Sequence, residues 1–291
     1  MVAIFDSPEY LITNAKLKNI GYTKKILYFF LGLIVGLIHK YFQGALFTGL
    51  LNLLLRRKVK LKYEKPFYVG VQDGYKFYFP NKRVTRLLGG IEEQTDDIFN
   101  LYLLDKIKFE SGDTVIDCGA NVGELYPGLK KSIENLKYIG FEPDPAVYKC
   151  LEKNVKSKNA KLYQHALSNK LSIEKLYIST EGADTSLVYL ENKEWVEVKT
   201  VPLDQLNLSN IKLIKMDAEG FELEVLQGSK NTLKSTKYVS VDFGPEKGTE
   251  GVNTIPEVSN FLYENSFIIA QKSKIVHVVL KWRLRTLVME F

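Results

Sequence analysis

From about residue 113 onward the chain repeats one pattern: a short apolar run ending in an acid or a glycine, then a stretch with helical spacing. "DTVIDCG" leads into residues 121–133, which can form a helix, and "KYIGFEPDP" leads into the helical "PAVYKCLEKNVKSKN". "AKLYQHALS" is expected as one strand, with "KLSIEKLYIS" and "EWVEVKTVPL" as further extended pieces. "NIKLIKMDAEG" runs into the helix "FELEVLQGSKNTLKS", and "KYVSVDFG" is followed by the helix "PEVSNFLYENS". "FIIAQKS" and "KIVHVVLKW" close the chain as a hairpin. Such alternation predicts an α/β fold with a mostly parallel sheet, helices on both faces and an antiparallel edge. Ligands in such sheets bind beyond the carboxyl ends of the strands, so chemistry-bearing residues are expected there. Upstream, residues 98–107 are expected to be helical, and residues 63–80 to form a β-hairpin cap.

The first strand end is a glycine loop, Asp117-x-Gly119-x-Asn121-x-Gly123. A dinucleotide fingerprint needs a further glycine where Asn121 stands. Asp117 would also repel a pyrophosphate, whereas a ligand carrying an ammonium group would be attracted to it. Glu142 ends the second strand, 19 residues after Gly123, a distance at which a carboxylate accepts both hydroxyls of a ribose. Dinucleotide enzymes share that feature, so a nicotinamide-dependent oxidoreductase stays open on these residues alone.

The third acidic end is "IKMDAEG". A strand period of two puts Lys215, Asp217 and Glu219 on one side, where three charges are expensive to bury without a use. They are either a base-and-partner set or an internally paired structural cluster. Asp242, at the next strand end, and Glu246 are further acids for an acceptor side. Asp217 with Asp242 has the oxygen chemistry of a divalent-cation site, though nothing in the sequence demands a metal. No Cys/His spacing of metal type occurs, and Cys118 and Cys150 are the only cysteines, so a structural disulfide is not expected.

The 291-residue chain carries a net charge of +6, but its lysines are scattered with no basic stripe between stacking aromatics, so nucleic acid is not an expected partner. Residues 26–38 are an unbroken apolar run; His39 and Lys40 interrupt it before a second run to Leu55, whose polar positions are Gln43, Thr48 and Asn52. Lys24 and Lys25 precede the region, and Arg56, Arg57, Lys58, Lys60 and Lys62 follow it. No small-residue cleavage site follows, which argues against a signal peptide. One tilted span would bury His39 and Lys40 at mid-membrane. Two short helices in one leaflet, with cytoplasmic positive flanks, avoid that cost, and a helical pair packed on the main domain is the alternative. The expected division is a hydrophobic helical segment over 1–62 and a second domain over 63–291.

"VIDCGANVGE", "IGFEPDP", "HALSNK", "VPLDQL", "IKMDAEGFELEVLQG" and "VSVDFGPE" occur in the order and spacing of the FkbM family of S-adenosylmethionine (SAM)-dependent methyltransferases, which the chain resembles over roughly residues 90 to 270. The resemblance implies a Rossmann-like class I methyltransferase fold, with a mostly parallel seven-stranded sheet and an antiparallel C-terminal hairpin. It implies O-methylation with SAM as cofactor. The N-terminal apolar segment, which lies outside the resemblance, would bring the site to the cytoplasmic face of a membrane, so the expected acceptor is a small molecule, a lipid or a lipid-linked glycan. Asp117 would then face the methionine ammonium, Gly119 and Gly123 would let the backbone approach, and Asn121 follows the family's habit. Glu142 would hold the ribose, while His165, Ala166 and Leu167 would flank the adenine. Asp217 and Glu219 are the candidate bases, with Lys215 tuning or orienting them. Ser186 resembles a serine that the family places near the cofactor, although serine in a turn is usually turn chemistry. Trp195 is more readily part of a cap than a sugar-stacking platform. A binding protein on a decayed methyltransferase fold is the remaining alternative, against which the intact acids and glycines argue.

Overall fold

The structure is a computed structural model that describes residues 21–178, 187, 194–242, 244, 252–272 and 277–282. Ser186 and Glu246 lie outside the described residues. The chain divides into two compact units, residues 1–94 and 95–291. The boundary expected after residue 62 falls within a strand of the first unit.

In the first unit, helices α1 (Tyr22–Tyr41) and α2 (Gly44–Leu55) precede strands β1 (Lys60–Glu64), β2 (Phe67–Gln72) and β3 (Tyr75–Phe79). The strands form an antiparallel three-stranded meander where a hairpin was expected. Asp73 and Gly74, both at positive φ, make the two-residue turn between β2 and β3 and match its twist to theirs. Phe47, Thr48 and Leu51 are the buried side of α2. The Asn52 amide imitates a strand backbone, donating to the Leu61 carbonyl at 2.7 Å and accepting the Leu61 N–H at 2.9 Å. Thr48 and Asn52 therefore turn toward protein, while Leu46 (68% exposed) and Leu53 (70%) point away from it. Helix α3 (Ile91–Leu101) begins seven residues before the expected start at residue 98. Gly90 at φ 139 opens it, Glu92 and Glu93 suit its first turn, and Leu103 in the left-handed region ends it.

The second unit opens with β4 (Thr114–Cys118), α4 (Tyr126–Ser132), β5 (Lys137–Phe141), α5 (Pro145–Asn154) and β6 (Ala160–Tyr163). Next come β7 (Ala166–Leu167), β8 (Ser172–Ile178) and β9 (Glu194–Val201), then β10 (Ile211–Met216), α6 (Glu222–Gln227) and α7 (Lys230–Leu233). β11 (Thr236–Asp242), α8 (Ile255–Glu264), β12 (Phe267–Lys272) and β13 (His277–Trp282) complete it. The main sheet runs β12-β13-β11-β10-β4-β5-β6, with β11, β10, β4, β5 and β6 mutually parallel and the β12–β13 hairpin antiparallel at one edge. Strand alternation divides its core. Ile116, Phe141, Ile214 and Val239 pack with Val225 of α6 and Leu262 of α8. On the other face, Val115, Tyr138 and Leu213 pack with Leu129 of α4 and Leu151 of α5. From β4 the order steps outward to β5 and β6, then returns to the other side of β4 at β10. A crevice forms where such an order reverses.

Three local expectations are corrected. "AKLYQHALS" is not one strand: β6 stays in the main sheet, while β7 pairs with β9 in a separate β7-β9-β8 sheet. The helix expected from residue 121 starts at Tyr126, because residues 120–126 close successive tight turns, with the Gly123 N–H bonded to the Ala120 carbonyl and the Tyr126 N–H to Gly123. The helix after β10 breaks at Gly228–Ser229, where a Cβ on Gly228 would stand 2.0 Å from the Ser168 carbonyl oxygen.

Candidate active site

The loop after β4 is tied down before it can meet a ligand. The N–H groups of Gly119 and Ala120 both donate to the Phe141 carbonyl, at 3.1 and 2.9 Å. Gly119 has φ 72, and a Cβ there would lie 2.0 Å from the Asp217 carbonyl oxygen, so only glycine lets this loop lie on the end of β10. Gly123 answers to the protein as well: a Cβ would press on Leu151 of α5 and on Val155 just past its end, both at 3.0 Å. Gly119 and Asn121 line the crevice, and Gly123 is not on its wall. Asn121 takes φ 49, a conformation asparagine tolerates, and its side-chain oxygen accepts the Val122 N–H at 2.8 Å.

Asp117 stands beneath the loop and off the cavity wall, so the structure does not place it against a bound ammonium group. It is fully buried. Its Oδ2 accepts the Tyr138 hydroxyl at 2.7 Å, and its Oδ1 faces the Lys215 ammonium at 3.2 Å. Lys215 also donates to the carbonyls of Gly119 (2.8 Å) and Cys118 (3.3 Å), and its Nζ sits 3.7 Å from Asp217 Oδ2. Burial pushes the Asp117 carboxyl up, against the pull of Lys215 and Tyr138. Burial alone would lower the Lys215 ammonium, but Asp117 and Asp217 hold it above its ordinary value. Lys215 is thus a buried cation that binds the loop to the sheet, and it too is off the cavity wall.

The cavity encloses about 720 Å³, part of it open to solvent, at the strand ends of the second unit. On one wall Glu142 is 7% exposed and receives one backbone N–H on each oxygen, from Asn121 to Oε2 and from Asp144 to Oε1, both at 2.9 Å. Each oxygen keeps a second lone pair, the arrangement that can accept two vicinal hydroxyls. Burial pushes Glu142 up to about 8, against the two amides. His165, Ala166 and Leu167 line the wall beside it. The His165 imidazole is held below its usual value by burial and by Lys199, and its Nδ1 is buried with no hydrogen-bond partner among the described residues. Its ring packs edge-on to Tyr163, which stacks on Phe141 at 5.0 Å between centroids.

Asp217, Ala218, Glu219 and Phe221 form the opposite rim. The Asp217 side chain is 24% exposed, and its Oδ2 accepts the Tyr102 hydroxyl at 2.5 Å. The Ser240 hydroxyl in turn fixes the Tyr102 carbonyl at 2.9 Å. Burial and Asp217 raise Tyr102 well above the usual phenol value, so it remains a donor. The expected shared face of Lys215, Asp217 and Glu219 is lost because β10 ends at Met216 and Glu219 turns into the left-handed region at φ 50. Asp217 and Glu219 still meet at the cavity, without Lys215. Asp242 ends β11 and acts electrostatically on Tyr102. Among the described residues no group of three or more His, Cys, Asp or Glu is arranged to hold a metal ion. Tyr102 carries no motif, and nothing in the sequence around it marks it as a site residue.

A profile of the methyltransferase FkbM domain matches residues 117–269, just over half of the chain. The chain is 23% identical over 192 residues to the 2-O-methyltransferase NoeI of Sinorhizobium fredii, covering 58% of this chain and 79% of NoeI. It is 29% identical over 142 residues to the hexuronic acid methyltransferase AglP of Haloferax volcanii, covering 46% of this chain and 56% of AglP. It is 26% identical over 171 residues to the methyltransferase sdnD of Sordaria araneosa, where the match spans 66% of the relative. A solved methyltransferase FkbM from Methylobacillus flagellatus is similar over 68% of this chain and 52% of its own, with 14% identity and a TM-score of 0.43. With a parallel sheet that reverses beside a glycine loop and acids gathered at its carboxyl edge, the chain belongs to the FkbM family of methyltransferases.

Proposed function

We propose that the protein is a SAM-dependent O-methyltransferase acting on a hydroxyl of a sugar-type acceptor. The observation that carries this reading is one cavity with a diol-ready Glu142 on one wall and Asp217 on the other. The residues present fit the cofactor: Glu142 has open lone pairs on both oxygens for a ribose, and the neutral His165 with Ala166 offers a flat, weakly polar flank for a base. SAM supplies an electrophilic methyl group. Transfer from it to oxygen is an in-line displacement in which positioning supplies much of the rate. A hydroxyl becomes a competent nucleophile as its proton leaves, and we assign that proton to Asp217 because its carboxylate lines the cavity. Tyr102 and Lys215 both engage Asp217 Oδ2, which leaves Oδ1 as the accepting oxygen. The name of AglP supports a sugar acid as the acceptor class.

The test is a calorimetric titration with S-adenosylhomocysteine. Wild-type protein binds, Glu142→Ala binds about a hundredfold more weakly, roughly the loss of two hydrogen bonds to a charged group, and Asp217→Asn binds like wild type. Folded wild-type protein that takes up none sinks the reading.

A membrane-surface acceptor is favoured by one further observation. Helix α1 is 20 residues, about 30 Å, and is long and apolar enough to cross a bilayer by length and composition. Ile26, Leu27, Phe30, Leu33, Ile34 and Leu37 are exposed on it, and α2 adds Leu46 and Leu53. Polar Thr48 and Asn52 face protein while leucines face out, the reverse of a helix adapted to water. We read the pair as a cytoplasmic-face anchor that brings a lipid-linked glycan to the site. Flotation with phosphatidylcholine vesicles, lost on Leu46→Asp/Leu53→Asp substitution, is the expected result; a wild-type protein that stays in the aqueous fraction removes the anchor.

A further inference from the structure

The turn that carries the candidate base is built around a side chain outside the cavity wall. Glu222 opens α6, is fully buried, and folds back so that its Oε1 accepts the N–H of Ala218 at 3.0 Å and of Gly220 at 3.1 Å. The residue between those two amides is Glu219, at φ 50, followed by Gly220 at φ 93. A non-glycine residue in the left-handed region holds there only when its surroundings over-determine it. Two backbone bonds also fasten the segment, the Asp217 N–H to the Cys118 carbonyl at 3.2 Å and the Phe221 N–H to the Ala218 carbonyl at 3.2 Å. The second of these closes the turn from outside, around Glu219 and Gly220, while Glu222 fills it from within by taking up the Ala218 and Gly220 amides. The second Glu222 oxygen, Oε2, is buried with no hydrogen-bond partner among the described residues, and burial pushes the carboxyl up to about 7, a cost set against the two amide bonds.

We propose that Glu222 is a positioning residue of the methyl-transfer site, holding Asp217, Ala218 and Glu219 against the cavity by accepting the two turn amides. It acts through the turn and touches no ligand. The titratable groups coupled to it are Asp217 and the neutral Cys118 thiol, both at the same crevice. The assignment rests on the cavity being the cofactor site, but the clamp has its own readout.

The experiment compares wild type, Glu222→Gln and Glu222→Met by hydrogen–deuterium exchange and by S-adenosylhomocysteine calorimetry. Glutamine keeps an acceptor oxygen in place of Oε1; methionine keeps the length without it. In Glu222→Met the amides of Ala218 and Gly220 exchange at least tenfold faster, Leu213 and Ile214 in β10 stay protected, and ligand affinity falls about tenfold. Glu222→Gln matches wild type in both. Unchanged protection or affinity in Glu222→Met, or a Gln variant as impaired as the Met variant, overturns the proposal. If wild type binds no S-adenosylhomocysteine, the cofactor reading fails, and the exchange data alone decide whether Glu222 holds the turn. Should Glu222→Met not fold, Glu222→Asp, a methylene too short to reach both amides, takes its place.

Discussion

The ends of β4 and β10 lie side by side in register, Asp117 opposite Lys215 and Cys118 opposite Met216; β4 turns at once through Gly119 at positive φ, and β10 turns three residues later through Glu219 and Gly220. On paper they are twin acidic strand ends. In the fold, Asp117 is sealed beneath its loop by Tyr138 and Lys215, while Asp217, one residue beyond its strand, stands on the cavity rim with Tyr102 behind it. An acid inside the last pleat faces sheet and helix and must find its partners there. An acid one step past the last pleat can present an oxygen outward while its other oxygen is fixed from within.

That contrast breaks first at Asp217. Asp217→Asn lowers methyl transfer to a hydroxyl acceptor by about 10²–10⁴-fold, the range for loss of a general base, with cofactor affinity within about threefold, measured by label transfer from SAM. An acceptor whose nucleophile is already a carboxylate needs no base, so small loss there would move the acceptor from a hydroxyl to the acid group of the sugar. Asp117→Ala acts on stability instead. It leaves the Lys215 ammonium buried without its main partner and costs about 3–5 kcal/mol in urea unfolding, whereas the double variant with Lys215→Met recovers part of that. Tyr102→Phe lies between the two, removing a hydrogen bond to a charged group worth about 1.5–3 kcal/mol. It should slow transfer and lower stability together, read by kinetics beside a thermal melt.

The smallest effect concerns Glu142. Its folded carboxyl is raised to about 8, so below that pH it holds a proton that hydroxyl donors of a ribose would displace. Binding of S-adenosylhomocysteine therefore releases a proton, and affinity rises about fivefold between pH 7 and pH 8 and about tenfold by pH 9, then levels. Titrations in buffers of different ionisation enthalpy read the proton directly. Affinity that falls over this interval would show that the acid form is the one that binds.

Much of the second unit was legible because its signals are local. Apolar runs of strand length, helical spacing between them and glycines at the joints are all written within a few residues. The unread parts depend on partners distant in sequence. Asp117 and Lys215 are 98 positions apart, and nothing in "VIDCG" says that its acid belongs to a lysine on a neighbouring strand. Tyr102 sits 115 residues from Asp217. Glu222 is four residues from Ala218, yet its role depends on a backbone reversal at Glu219 that strand periodicity runs straight past. The break inside "AKLYQHALS" is of the same kind, since only pairing with β9 separates its two halves.

The amide of Asn52, bonded to both backbone groups of Leu61, has a practical consequence for handling the protein. Hydrophobic leader segments are commonly trimmed away to obtain a well-behaved sample. Here trimming at residue 55 would strip the meander of Phe47 and Leu51 and leave the edge of β1 open to pair with other chains. Resurfacing Leu46 and Leu53 with charged residues keeps the helix as a wall of its own unit and changes only what it shows to the outside. For crystallisation or detergent-free assays, repainting that helix is the safer route than removing it.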